Sequence, residues 1–229
     1  MSSEERYPEL DALRGIAVVL MVLYHLAFDL SYFYGWNMPV HEGAWKILAT
    51  ASATTFLLLV GICFAISWER TPFYHKYLRR GLLIFTGGML VSLATWLIVP
   101  HAFVKFGILH LIGLSALLQP FFTPFKIWNA ALGVLIIILP VVRTVPTLRI
   151  LIPSLDYYPL IPWFGVILLG TAIGRLLYVP TRSVAPHTCG KLPYPHWLLI
   201  CGKRSLWIYL VHQPLLLLLL GLIFGIPML

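Results

Sequence analysis

Apolar residues fill stretches near 12–34, 44–68, 81–99, 104–121, 127–142, 159–178 and 204–226, with polar or proline-bearing segments between them. A bilayer core takes about 20 apolar residues per helix. The pattern therefore predicts an all-α integral membrane protein, a bundle of about seven transmembrane helices. Pro72, Pro100, Pro124, Pro146, Pro159 and Pro180 mark junctions, because proline lacks the backbone donor and disfavours helix in the residue before it. The segment 180–203 is the longest connection, and "HWLLIC" within it reads as an interfacial helix. No internal repeat is visible, and the leucine run at 215–220 fits a lipid-facing helix surface. One membrane domain, residues 1–229, is the expectation.

Composition supports this class. Sixty per cent of the 229 residues are apolar and 10% are charged, with a mean hydropathy of +0.90. Such a balance excludes an ordinary soluble domain. The acidic opening "MSSEERYPEL" lacks the basic region of a secretory leader, so the first span is expected to be a retained anchor. Cys63, Cys189 and Cys201 are odd in number and have no zinc-like spacing, so neither a disulfide framework nor a metal site is expected.

The net charge of +8 is read as topology and contact with anionic lipid, with no nucleic acid as partner. With the N-terminus inside, the cytoplasmic side receives Arg6, Arg70, Lys76, Arg79, Arg80, Lys126, Arg175, Arg182, Lys191, Lys203 and Arg204. The outer side receives Lys46, Lys105, Arg143 and Arg149. This bias predicts a cytoplasmic N-terminus and an outer C-terminus, in a multi-pass protein of the plasma membrane.

The first span, "LDALRGIAVVLMVLYHLAFDLSYF", is interrupted by Asp11, Arg14, His25 and Asp29. At 100° per residue all four fall on a face roughly 60° wide, which must point into the bundle. Arg14 and His25 stand about 16 Å apart along the axis, so His25 lies near mid-membrane if Arg14 is at the inner interface. His25 and Asp29 are four apart and within reach of each other. An ionisable residue at the bilayer centre costs about 2.5–3.5 kcal/mol for Asp or Arg on insertion scales. Several on one face favour a functional surface over snorkelling or packing alone. In that reading Asp29 orients His25 and supports a transient imidazolium, as the third member of a triad does.

These residues carry a resemblance. The opening "LDALRGIAVVLMVLYH", an Arg, ten residues and then a His, resembles the start of the membrane acyltransferases of acyltransferase family 3. With "FLLLVGICFAIS" (56–67), "FGILHLIGLSALL" (106–118), "DYYPLIPWFGVILLGTAIGR" (156–175) and "SLWIYLVHQPLLL" (205–217), the chain resembles the heparan-alpha-glucosaminide N-acetyltransferase catalytic-domain family in compact prokaryotic form. The resemblance implies acetyl or short acyl transfer from cytoplasmic acetyl-CoA to a hydroxyl or amine of a sugar or glycan-like acceptor. No luminal domain like that of the lysosomal members is expected, and those members place their reactive His differently relative to the opening motif, so neither the heparan substrate nor one fixed role for His25 is carried over.

Acyl transfer needs an activated nucleophile, and a neutral imidazole suits proton removal near neutral pH. His25 is the expected general base or transient acyl carrier, with Asp29 and His110 as further catalytic candidates. Arg14, Arg79, Arg80, Lys203 and His212 are candidates for holding the donor, the cations through its phosphates. Asp156 and Trp163 are candidates for the acceptor, although Asp156 could equally cap the sixth span. Gly170 and Gly174 form a small-xxx-small pair suited to close helix packing. A homodimer is left open. The rival from another class is a proton-coupled transporter of a small polar solute, which also uses buried His and Asp. It favours broken helices and an inverted repeat, and neither is detected. Haem ligation and a purely structural subunit have less support in the spacing.

Overall fold

Pro8 stands in the first turn of α1 (Pro8–Tyr34), where its missing N–H leaves no bond unmade, and Gly35 ends the helix in the left-handed region at φ 69°. The computed structural model describes residues 7–140, 154–179 and 194–225. The helices that follow are α2 (Gly43–Arg70), α3 (Tyr74–Ile98), α4 (Ile108–Phe122), α5 (Asn129–Ile138), α6 (Leu160–Leu177), α7 (His196–Lys203) and α8 (Ser205–Phe224). Among the described residues there is no strand beyond an isolated parallel bridge between Phe106 and Tyr157.

Each predicted span meets a helix. Six helical stretches among the described residues are long and apolar enough to cross a membrane: α1, α2, α3, Ile108–Ile138, α6 and α8. The fourth and fifth predicted spans share Ile108–Ile138, which a 3-10 turn (Thr123–Trp128) divides, with Lys126 at φ 47°. α5 has 10 residues, about 15 Å of helix, or half the hydrocarbon thickness of about 30 Å. The predicted "HWLLIC" helix is α7. Pro72, Pro100 and Pro159 fall between helices and Pro124 in the 3-10 turn, whereas Pro120 and Pro214 lie inside α4 and α8. Pro146, Pro180, Arg6, Arg143, Arg149, Arg182, Cys189 and Lys191 lie outside the described residues.

The chain divides into two compact units, residues 1–56 with 188–229, and residues 57–187. In the first, α1 packs against α7 and α8. The α1–α7 approach is backbone-close: a Cβ on Gly202 would run into the Asp11 carbonyl, and one on Gly15 into that of Leu198. Ser52 of α2 donates to the Ala17 carbonyl of α1 at 2.8 Å.

In the second unit α3 packs on α4 and α5 on α6. The second half of α2 meets α6 where Gly61 faces the Ile167 carbonyl and Gly170 the Leu58 carbonyl. Gly174 lies against Ile62 and Ala65, so the predicted small-residue pair is a packing surface. Gln119 Nε2–H donates to Thr171 Oγ1 at 3.2 Å, tying α4 to α6.

Candidate functional site

The polar stripe of α1 faces inward. Asp11, Gly15, Val18 and Asp29 are buried, while Arg14 and His25 are half-buried. At its N-terminal end Arg14 Nη1 pairs with Asp11 Oδ1 at 2.7 Å, one helical turn apart. Lys203 and Arg204, at the end of α7 in the same unit, are exposed. Arg79 and Arg80 are exposed on α3 in the other unit.

Further along α1, His25 meets His212 of α8. The two rings pack edge to face, with centroids 4.8 Å apart and planes at 80°. His25 Nδ1 lies 2.9 Å from the Met21 carbonyl, and His212 Nδ1 lies 2.7 Å from that of Tyr209. A carbonyl can only accept, so Nδ1 carries a proton in both rings and Nε2 is the nitrogen left for another partner. His25 Nε2 has no hydrogen-bond partner among the described residues. His212 Nε2 is buried and unpartnered. The pair thus presents two Nε2 nitrogens that make no hydrogen bond to the described residues.

Asp29 does not play the part its spacing suggested. It makes no bond to His25; its Oδ1 accepts from Gln213 Nε2–H of α8 at 2.7 Å. The Met21 carbonyl, one turn back on the same helix, lies within hydrogen-bond reach of the ring and orients His25 instead. Sequence reasoning missed Gln213, though "LVHQP" places it next to His212. A neutral amide in a leucine-rich helix carries no charge signal.

The C-terminal end of α1 opens on a cleft of about 500 Å³ that sequence reasoning also missed. Phe28 and Tyr32, stacked at 5.4 Å and 11°, line it with Ser31, His41 and Glu42. The i, i+4 aromatic pair was visible in the chain; the loop that folds over it was not.

His110, Asp156 and Trp163 belong to the second unit. The Gly107 N–H donates to His110 Nδ1 at 3.2 Å, so here Nδ1 is the bare nitrogen. Nε2–H faces Ser92 Oγ at 3.4 Å, and Ser92 donates onward to the Val104 carbonyl. Phe85 and Phe106 enclose the ring. Both nitrogens of this imidazole are engaged by the chain itself. Asp156 Oδ2 accepts from the Ile108 N–H at 3.4 Å, so it serves the start of α4 and not that of the sixth span. Burial pushes its carboxyl up to about 6, against the opposing pull of the Ile108 and Tyr157 N–H bonds. Trp163 packs on Tyr158 at 5.2 Å. Among the described residues no group of three or more His, Cys, Asp or Glu is arranged to hold a metal ion.

Helices long and apolar enough to cross a membrane, with two imidazoles packed together where α1 meets α8, define a class: multi-pass membrane proteins. Residues 6–214 match the family model described as heparan-alpha-glucosaminide N-acetyltransferase, catalytic, and the chain belongs to that family. Its activity is of the acetyltransferase type. Comparison with curated proteins and with solved structures finds no match.

Proposed function

We propose that this protein moves an acetyl or short acyl group from cytoplasmic acyl-CoA to a hydroxyl or amine of a sugar-like acceptor, with His25 as the general base. The observation that carries the reading is the His25 ring: one nitrogen is fixed by the Met21 carbonyl and the other has no partner among the described residues, beside a second imidazole of the same tautomer. Family membership over residues 6–214 supplies the reaction class.

The chemistry follows from those atoms. His25 Nε2 takes the proton of the acceptor O–H or N–H as that atom bonds the acyl carbon. The carbon–sulfur bond breaks, and the departing thiolate takes the proton back from the imidazolium. His212, edge-on against His25, keeps a buried acceptor nitrogen beside the new positive charge and shares its proton. His212 therefore belongs with the base in this reading, and the donor's phosphates are met by Arg14, Lys203 and Arg204 at the N-terminal end of α1 and the end of α7. The acceptor enters through the cleft beside Phe28 and Tyr32, whose stacked rings suit the apolar face of a pyranose. Phe28 is three residues from His25 on α1, so cleft and base share one end of the helix.

The test is turnover of acetyl-CoA by purified protein with a panel of amino and neutral sugars. His25→Ala should abolish transfer while the helical content by circular dichroism stays that of wild type. Full activity in that variant removes the proposal.

A further inference from the structure

The α1–α8 contact holds a bond that is half complete. Gln213 Nε2–H donates to Asp29 Oδ1 at 2.7 Å. The second oxygen of each group, Asp29 Oδ2 and Gln213 Oε1, is buried with no partner. Asp29 itself is fully buried, and among the described residues no Lys, Arg or His is ion-paired with it. The nearby titratable groups are His25, one turn earlier on α1, and His212, adjacent to Gln213 on α8. The Nδ1–H of each imidazole is committed to a backbone carbonyl, so neither supplies that donor to Asp29.

Two acceptors cannot bond each other. A carboxylate here would hold its charge among apolar helices with one amide N–H for support, an arrangement that burial strongly disfavours. Each orphan oxygen is attached to the same carbon as an atom already in the Gln213–Asp29 bond. One proton on Oδ2 turns that acceptor into a donor, and rotation of the two end groups into one plane closes the ring, satisfying both orphans at once.

We infer that Asp29 is held as a neutral carboxylic acid in a cyclic acid–amide pair with Gln213, which fastens α8 to α1 and thereby sets His212 against His25. Asp29 and Gln213 are positioning residues: they act on the reaction through the register of the two imidazoles. The pairing stands on geometry alone; its consequence for transfer rests on the acyltransferase reading above.

Infrared difference spectroscopy of the full-length protein in lipid nanodiscs reads the proton directly. Wild type at neutral pH should show the carbonyl stretch of a protonated carboxylic acid, absent in Asp29→Asn and shifted in Gln213→Ala. Asparagine closes the same ring without a proton, so Asp29→Asn should keep the wild-type unfolding midpoint and transfer within about threefold. Asp29→Ala and Gln213→Ala should lower the midpoint and cut transfer about tenfold or more. Combining Asp29→Asn with Gln213→Glu reverses the pair, and should keep the midpoint and transfer near wild type while bringing back the infrared band. Absence of the band in wild type, or an Asp29→Asn midpoint as low as that of Asp29→Ala, overturns the inference. If wild type transfers no acyl group to any sugar, the acyltransferase reading fails while the band and midpoints still decide the pairing.

Discussion

His25, His212 and His110 differ in which ring nitrogen the backbone takes. Where a helix carbonyl accepts from Nδ1, Nε2 is left without a partner among the described residues, as in His25 and His212; where a loop N–H donates to Nδ1, the other nitrogen faces a serine, as in His110. His110→Ala should therefore act on stability. Losing it strips an acceptor from the Gly107 N–H, a cost of about 1–3 kcal/mol for a buried group, to be read as a lower unfolding midpoint. Asp156 adds a pH signature. Its carboxyl is raised from 3.8 to about 6, so the fold takes up a proton in that window. Its contribution to stability is complete below about pH 4 and is lost as pH rises through about 6. Asp156→Asn should flatten the fall in unfolding midpoint between pH 4 and pH 7; an unchanged profile would refute the assignment. The chain showed these residues as polar positions among apolar ones, and that much was legible. Tautomers were not, because they depend on which backbone group the fold brings to each ring. The i, i+4 spacing of His25 and Asp29 did not make a bond: Asp29 found Gln213, 184 residues away.

At the scale of helices, hydropathy located each of the six stretches long and apolar enough to cross among the described residues, because the bilayer requirement is a sum over some 20 residues, which local detail scarcely perturbs. Helix ends were less legible, and the break at Lys126 had no signal beyond Pro124. Close approaches were half visible. The Gly170–Gly174 pair announced a packing face, whereas Gly202 in α7 gave no sign that it would lie on the Asp11 backbone. Gly202→Val should force α7 off α1. Overpacking of this kind costs about 1–3 kcal/mol, and the unfolding midpoint should fall accordingly. Gly221, with nothing within 4 Å of a built Cβ, is the control, and Gly221→Ala should leave the midpoint unchanged.

For the whole molecule, the question the helices pose is one of parity. If the turn at 123–128 returns the chain to the face it left, with α4 and α5 counted as separate crossings, the termini lie on opposite sides of the membrane. If Ile108–Ile138 crosses once, they lie on the same side. The distribution of Lys and Arg favours opposite sides, with the N-terminus inside. Paired reporters fused at the two ends, one active only in the cytoplasm and one only outside it, should thus light up at the N- and C-terminus respectively. Both ends reporting cytoplasm would leave six crossings.

One unit is built from the first 56 residues and the last 42, 188–229. Asp29 is synthesised 184 residues ahead of the amide it bonds. During biogenesis α1 therefore waits in or beside the translocon with a buried-to-be acid unmet, and a neutral acid enters lipid far more cheaply than an anion. A chain stopped before α8 would lack the Gln213 amide, and Asp29 would lose the one hydrogen bond that it makes among the described residues.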